Sequence, residues 1–296
     1  MSLMMKRLVM MLLGVAGGVV VWPLLLLVES LQTTFSSYLV FSLLEGMLFG
    51  LVFGAVFGSF EGIVVSSRRK GLLGLLWGAI FGLSSGALGI LLGQQVLFVV
   101  AEGVLSGWER GREAGLMFAS GLGWGFIGLL VALTEGFRSR SLRKLGVGIA
   151  GGLAGGLVGG IALQAFKLSF PGSPWALLGG LVLFGLLLSF FYAFFENRFS
   201  WGALKVLTGP LKNKEYHLVK AKMSLGSDPK CDIVLRGYGE VRPVHAWIMM
   251  RKGKVVIRRE GDASLRVNDR TVEEAQLRRE DVIAFGKAKL IYGIFV

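Results

Sequence analysis

The sequence predicts two kinds of fold in one chain, an all-α polytopic membrane domain over residues 1–202 and an all-β sandwich over residues 203–296. Apolar stretches dominate the first part, whereas short alternating runs rich in β-branched and aromatic residues dominate the second. The composition changes at the same place, because 37 of the 45 glycines precede residue 203 and 19 of the 32 lysines and arginines follow residue 202. Such a shift predicts a domain boundary.

Six apolar stretches are each long enough to cross a hydrocarbon core of about 30 Å as a helix of about 20 residues. They cover residues 8–28, 37–65, 71–93, 114–136, 146–166 and 175–195. The first is long for a signal peptide and no small-residue cleavage motif follows it, so we predict an uncleaved helix. The chain is therefore predicted to be an integral membrane protein of about six helices in a lipid bilayer.

Positive charges alternate between the predicted loops and so predict an orientation. The basic loops contain Lys6, Arg7, Arg68, Arg69, Lys70, Arg138, Arg140, Arg143, Lys144, Arg198 and Lys205, and the intervening loops are poorer in charge. The positive-inside rule places the basic loops in the cytoplasm. Both termini are then cytoplasmic, and an even number of helices requires that they lie on the same side. We predict a bacterial inner membrane or plasma membrane.

Glycines in the apolar stretches recur at every fourth residue, which aligns them along one ridge of a helix. The ladders that we assign to helix packing include Gly50, Gly54, Gly58, Gly74, Gly78, Gly82, Gly148, Gly152 and Gly156. Small residues let two backbones approach closely, and the resulting dispersion contacts hold membrane helices together. Packing within one subunit is the principal interpretation, and a homo-oligomer interface or a pore lining are the alternatives.

An internal repeat relates the second and third helices to the fourth and fifth. A shift of 74 residues superimposes Glu61-Gly62 on Glu135-Gly136, and it places Gly74 and Gly78 on Gly148 and Gly152. Both copies enter the membrane from the same side, so we predict parallel repeats about an axis along the membrane normal. Many transporters contain internal repeats, although duplicated hairpins also occur in inert scaffolds.

Three acidic residues, Glu45, Glu61 and Glu135, fall inside the apolar stretches. A charge within a membrane is costly, so such residues usually face protein or water and often carry function. Glu61 and Glu135 are close to the basic residues at the predicted cytoplasmic edge, which favours structural ion pairs or protonated, hydrogen-bonded side chains. A role in transport is the alternative.

The second part contains nine predicted strands separated by turns, which indicates a β-sandwich. The strands cover Ala203–Leu207, Tyr216–Val219, Met223–Leu225, Ile233–Leu235, Ala246–Met250, Val255–Arg259, Leu265–Val267, Val282–Phe285 and Lys289–Phe295.

Several motifs of this part resemble the forkhead-associated (FHA) domain, a small β-sandwich that docks phosphothreonine peptides. They are Gly226-Ser227, Asp232-Ile233-Val234-Leu235, Val241 with His245-Ala246, Val267-Asn268-Asp269, and Leu277-Arg278-Arg279-Glu280-Asp281-Val282-Ile283-Ala284-Phe285-Gly286. The resemblance implies that Gly226 ends the third strand and that His245 braces the binding loop, both as structural residues.

The phosphate contacts of the family are mostly replaced in this sequence. Ser227 stands where the family has the arginine that grips the phosphopeptide, and Arg242 stands where it has a serine. The family asparagine that holds the peptide backbone aligns roughly with Ala263. Serine cannot replace the charge-assisted donor fork of arginine. The resemblance therefore implies a degenerate partner-binding surface, whose candidate residues are Ser227, Lys230, Arg236, Arg242 and Asn268.

Catalytic and metal-binding patterns are not found in the sequence. Cys231 is the single cysteine and His217 and His245 are the only histidines, which argues against disulfides and multi-residue metal clusters. No phosphate-binding loop and no nucleophile elbow occurs. We therefore predict no enzyme activity, no cofactor and no metal. The net charge of +8 in residues 203–296 is spread rather than clustered, and we predict no nucleic-acid partner.

Three functions agree with these features. The first is a membrane-anchored interaction or scaffold protein whose cytoplasmic FHA-like domain docks a protein partner, with or without phosphorylation of that partner. The second is a transporter or channel subunit that its FHA-like domain regulates. The third is a structural membrane oligomer held together by the glycine ladders.

Overall fold

A computed structural model describes residues 3–65, 68–105, 112–139 and 141–293. The chain divides into two compact units, a helical unit over Arg7–Glu196 and a second unit that comprises the chain from Asn197 onward together with Met1–Lys6.

Within the described residues, six α-helices form the first part of the chain, and the prediction of six helices is confirmed. They are α1 (Leu3–Ser30), α2 (Tyr38–Val65), α3 (Arg68–Leu105), α4 (Arg112–Ser139), α5 (Leu142–Ser169) and α6 (Pro174–Phe199). Five of them, all except α4, are long and apolar enough to cross a membrane. In the described residues α4 has a shorter apolar segment, Ser120–Leu133.

The third helix extends well beyond the predicted residues 71–93, because a polar residue there does not end it. The Gln94 side chain donates a hydrogen bond of 2.7 Å to Ser42 Oγ on α2, so its polar group is satisfied within the bundle.

The short connection between α5 and α6 is a turn in which Gly172 has a φ of +72°, and Pro174 follows it as the first residue of α6. Proline is favoured at this position, since it needs no hydrogen-bond acceptor there.

Glycines hold α2 and α3 in backbone contact between Gly46 and Gly62 on α2 and between Gly71 and Gly86 on α3. A Cβ atom added to an α2 ladder glycine, or to Gly78, Gly82 or Gly86 of α3, would collide with the facing backbone, so only glycine permits this distance. The facing pairs are Gly46 with Gly86, Gly50 with Gly82, Gly54 with Gly78 and Gly58 with Gly74. These ladder residues therefore contact another helix of the same chain.

The sequence repeat extends to the tertiary contacts. The contact of Gly54 with Gly78 recurs in the second hairpin as Gly128 with Gly152, which lie 74 residues later in the chain. Ala132 takes the place of Gly58 against Gly148, so the second hairpin keeps the register of the first.

Aromatic side chains fill the middle of the helical unit. The ring of Phe49 lies 4.5 Å from that of Phe53, 5.0 Å from that of Trp124 and 5.2 Å from that of Phe184, measured between centroids. Phe49, Phe53 and Phe184 are fully buried. Three helices thus meet through one aromatic cluster.

In the part of the second unit that the structure describes, eleven strands form a β-sandwich. Its strands are β1 (Ala203–Val206), β2 (Glu215–His217), β3 (Lys222–Gly226), β4 (Ile233–Val234), β5 (Ala246–Arg251), β6 (Lys254–Arg259), β7 (Arg266–Val267), β8 (Arg270–Thr271), β9 (Glu274–Leu277), β10 (Val282–Phe285) and β11 (Ala288–Gly293). One sheet has the order β2-β1-β11-β10-β7-β8 and the other β4-β3-β5-β6-β9. The strands β8 and β9 are not among the predicted strands, because β8 is only two residues long and β9 contains two polar residues in four.

Side chains of the two sheets form the core of the sandwich. Leu204, Leu225, Ile248, Ile257 and Phe285 are fully buried in it. Several of their direct neighbours, among them Ala203, Ser224 and Val256, are also buried, so strict alternation between buried and exposed residues is not seen in these strands.

Candidate functional site

Three loops meet at one end of the sandwich, and we call them the apical loops. They are residues 227–232 after β3, residues 235–245 before β5 and residues 260–265 after β6. The strands β3, β5 and β6 are antiparallel neighbours, so the end of β3, the start of β5 and the end of β6 lie together. β7 starts at the apical end, and β10 runs antiparallel to β7, β11 to β10 and β1 to β11. The strand β1 therefore starts at the opposite end of the sandwich, where the chain enters it from Asn197.

Gly226 lies where two apical loops come closest. A Cβ atom on Gly226 would collide with the carbonyl oxygen of Pro243, and Val244 Cα would lie 2.9 Å from it. The structure thus places this glycine in the position that the FHA resemblance implies, at the end of the third strand of the sandwich.

The first two residues after Gly226 use their backbone donors inside the protein. The N–H of Ser227 donates to the carbonyl of Arg242 at 3.0 Å, and the N–H of Asp228 donates to that of Pro243 at 3.1 Å. The carboxylate of Asp228 accepts a further bond of 2.7 Å from the N–H of Lys230. These bonds rigidify the loop, and they leave fewer free N–H groups for an anion.

His245 connects two of the apical loops, residues 235–245 and residues 260–265, from within the core. It is fully buried, its Nδ1 accepts a hydrogen bond of 3.2 Å from the Arg242 N–H, and its Nε2 lies 2.7 Å from the Ser264 carbonyl. Since a carbonyl only accepts, Nε2 carries the proton and the ring is neutral. Burial lowers the pKa of His245, the bond to Ser264 opposes this, and the charge of Arg242 lowers the pKa further.

Asp232 forms a second brace that the sequence analysis did not recognise. Its carboxylate accepts bonds from the Ser224 N–H at 2.9 Å and the Ser224 hydroxyl at 3.1 Å, and it pairs with Lys220 at 2.7 Å. The adjacent Cys231 is buried, with Sγ 3.1 Å from the Pro243 carbonyl. The FHA-like motif Asp232-Ile233-Val234-Leu235 was the sequence signal that pointed to this residue. The motif does not show which groups the Asp232 carboxylate binds.

Three candidate cations remain at the surface of the apical loops. Lys230, Arg236 and Arg242 are exposed, and within the described residues they have no salt-bridge partner. The loop that carries Arg236 and Arg242 is fixed by Tyr238, whose hydroxyl donates to the Thr208 carbonyl at 2.5 Å. Arg236 and Arg242 therefore stand on a loop that this hydrogen bond anchors.

The structure separates Asn268 from the other candidate residues. Asn268 follows β7 and lies at the end of the sandwich opposite the apical loops, with a φ of +48°. Its side chain bonds Asp281 Oδ1 at 2.8 Å and the Val282 N–H at 2.9 Å, so it stabilises a turn. Ala263, which aligns with the family asparagine, is buried and faces the core.

The membrane acids lie apart from one another. Glu61 pairs with Lys144 of α5 at 3.7 Å, at one end of the helical unit. Glu45 lies beyond Phe49 at the other end, beside a cavity. The backbone of Glu135 belongs to α4, and its side chain lies outside the described residues.

Among the described residues, no three His, Cys, Asp or Glu side chains are close enough to hold a metal ion.

Comparison with known proteins identifies one matching family model. Residues 205–293 match the model described as the inner membrane component of T3SS, cytoplasmic domain. No curated protein sequence matches the chain.

Several solved structures resemble the sandwich. The FHA domain of the CT664 protein from Chlamydia trachomatis is 27% identical, with 32% of this chain and 98% of that chain covered and a TM-score of 0.30. The FhaA FHA domain, solved with the intracellular domain of Rv3910, is 22% identical, with 31% and 98% covered and a TM-score of 0.28. The N-terminal FHA domain of Rad53p from S. cerevisiae, solved with a phosphothreonine peptide, is 17% identical, with 32% and 93% covered and a TM-score of 0.29.

The family model covers nearly the whole sandwich. The prediction of a C-terminal FHA-like domain is confirmed. The chain therefore joins a helical part that is apolar enough to span a membrane to an FHA-like interaction domain.

Proposed function

We propose that this chain is a membrane-anchored interaction protein whose FHA-like domain docks a protein partner through the apical loops, without requiring phosphorylation of that partner. The observation that carries the proposal is the bonding of the apical loops. Their backbone donors at Ser227 and Asp228 are already used, while Lys230 and Arg242 stay exposed on a rigid frame.

A phosphate group would find few of the ligands that it needs. Strong phosphate sites combine free backbone N–H groups with a bidentate arginine. Ser227 supplies no charge, and the buried Ala263 cannot reach a peptide. Arg242 offers one cation, which suits a hydrogen-bonded contact with an acidic or polar side chain of a partner.

The family match supports the setting of this interaction. It describes a cytoplasmic domain of an inner membrane component of T3SS. On our proposal the sandwich, residues 203–296, is a cytoplasmic domain at an inner membrane, and its partner belongs to a membrane-bound protein assembly. The partner is a protein, and the helical domain, residues 1–202, serves as the anchor.

The aromatic cluster of the helical unit favours an anchor over a conduit. Phe49, Phe53, Trp124 and Phe184 fill the space between the level of Glu45 and that of Glu61. The glycine ladders on α2, α3 and α5 face helices of the same chain, which supports packing within one subunit.

Site-specific photocrosslinking in native membranes tests the proposal. A photoreactive residue at Lys230 or Arg242 should give a discrete protein adduct, and the matched position Lys252, in the turn between β5 and β6 at the opposite end, should not. Phosphatase treatment before irradiation should leave the adduct unchanged. Adducts from Lys252 alone would contradict the proposal, because they would place the docking surface at the end opposite the apical loops. Loss of the adduct after phosphatase treatment would also contradict it, because it would show that phosphate is required.

A further inference from the structure

A central cavity opens at the end of the helical unit that contains Glu45. All six helices contribute to its lining, and its volume is about 70 Å³. One water molecule needs roughly 10–15 Å³, so the cavity has room for a ligand of several non-hydrogen atoms. A separate, wider cleft of about 210 Å³ shares Glu45 and Trp124 with this cavity, and Ser42 and Gln94 help to line it.

The walls of the cavity are apolar and its ionisable groups are few. Glu29, Glu45 and Lys167 are its charged side chains. Glu29 pairs with Lys167 at 3.7 Å, and both are about half as exposed as free side chains, with 37% and 47% of their surface accessible. Glu45 lies about 10 Å along α2 from its first residue, and within the described chain it has no salt-bridge partner.

Aromatic rings form the floor of this cavity. Phe49 lies one helical turn from Glu45 on the same face of α2, and the ring of Trp124 lies 5.0 Å from it in an edge-to-face arrangement. The faces of aromatic rings attract cations, and the attraction is stronger where water is excluded. The rings of Phe53 and Phe184, which are fully buried, pack against the ring of Phe49.

We propose that this cavity binds a small organic ammonium ion, with its charge beside Glu45 and its alkyl groups against Phe49 and Trp124. The opposite charges of Glu29 and Lys167 neutralise each other. The remaining carboxylate, that of Glu45, therefore favours a cation over an anion. A bare divalent metal ion would need about six oxygen ligands, whereas the walls here are mainly apolar. A pocket of this kind, with few convergent polar groups in a helix bundle, is the usual form of a small-molecule site.

Calorimetry of the full chain in nanodiscs of uncharged lipid tests this proposal, with choline as the probe. Its neutral isostere 3,3-dimethylbutan-1-ol is the matched control, because it has the same shape without the charge. Choline should bind saturably, and the isostere and potassium ions should not compete with it. Absence of saturable choline binding, equal binding of the isostere, or displacement by potassium at equal concentration would each overturn the proposal.

Two variants test the role of the carboxylate. Glu45→Gln should weaken choline binding by at least about tenfold, since it removes the charge and keeps the shape. Glu61→Gln, in the same helix but at the other end, should leave the affinity unchanged. Unchanged affinity in a folded Glu45→Gln protein would contradict the site.

A measurement on the unaltered chain does not depend on the folding of any variant. Dicyclohexylcarbodiimide labels carboxyl groups in apolar surroundings, and mass spectrometry identifies the labelled residue. Choline should slow the labelling of Glu45, and the neutral isostere should not. Equal labelling rates with and without choline would overturn the proposal.

Discussion

At the residue scale, the ability of the apical loops to bind a ligand depends on which of their backbone N–H groups are already hydrogen-bonded within the protein. Ser227 and Asp228 each direct an N–H to the segment that contains Arg242 and Pro243. His245 fixes the same segment from below through the Arg242 N–H. A loop held in this way presents side chains in fixed positions, and it offers less backbone to a ligand.

Gly226 provides the first prediction. Gly226→Ala should destabilise the sandwich by about 1–3 kcal/mol, because the added methyl group collides with backbone that cannot move easily. Gly239→Ala is the matched control in a neighbouring loop, where an added Cβ has no neighbour within 4 Å. Pulse proteolysis in urea on the purified chain measures both. Equal stability of the two variants would show that the loops do not pack as described.

His245 provides a prediction of pH dependence. Its pKa in the folded protein is lower than the ordinary value of 6.5, so the folded state resists the proton that the unfolded state accepts. The stabilising effect is complete above about pH 6.5, and it is lost as the pH falls through that value toward the folded pKa. The slope should approach at most about 1.4 kcal/mol per pH unit.

Urea titrations at several pH values measure this dependence. His245→Gln should be less stable at neutral pH and should lose the slope, whereas His217→Gln should retain it. A slope that survives in His245→Gln would assign the pH dependence to another group.

At the scale of elements, the helical unit consists of two similar hairpins in which glycine decides the distance between helices. The same register relates Gly54 to Gly78 and Gly128 to Gly152. Lipid is as apolar as the side chains, so close backbone approach rather than burial holds such pairs together. The repeated sequence therefore encodes a repeated contact.

Substitution within α3 tests this contact. Gly78→Ala should destabilise the helical unit, because its Cβ collides with the Gly54 carbonyl, and Gly152→Ala should do so in the second hairpin. Gly71→Ala is the control, since its Cβ would lie 3.9 Å from Gly62 Cα, an ordinary contact distance. Thermal melting in detergent compares the three. A Gly78→Ala protein as stable as Gly71→Ala would contradict the ladder packing.

At the scale of the whole molecule, charge and hydropathy divide the chain between two environments. Five helices are long and apolar enough to span a membrane, and the basic residues concentrate in alternate loops and in the sandwich. The positive-inside rule then predicts a cytoplasmic sandwich and cytoplasmic termini.

Cysteine labelling tests this topology in intact cells, in a Cys231→Ser background. Ser36→Cys, between α1 and α2, should react with a membrane-impermeant reagent from outside. Ser139→Cys and Ser264→Cys should react only after permeabilisation. Labelling of Ser264→Cys in intact cells would place the sandwich on the outer side.

Sequence alone determined the features that depend on local pattern. Apolar length predicted six helices, and alternation predicted most of the strands. The FHA resemblance implied the positions of Gly226 and His245, since their special roles leave a recognisable residue type. The missed strands β8 and β9 and the extension of α3 have weak local signals, and they depend on partners distant in sequence.

Tertiary structure decided which residues meet. The FHA resemblance made both Asn268 and Arg242 candidates for the partner-binding surface. The antiparallel order of the strands nevertheless puts Asn268 at the opposite end of the sandwich. The brace at Asp232 and the cavity at Glu45 likewise join residues far apart in the chain. A pattern along the sequence reports what each residue can do, whereas side-chain contact depends on how whole elements pack, and that is fixed only by the complete set of long-range contacts.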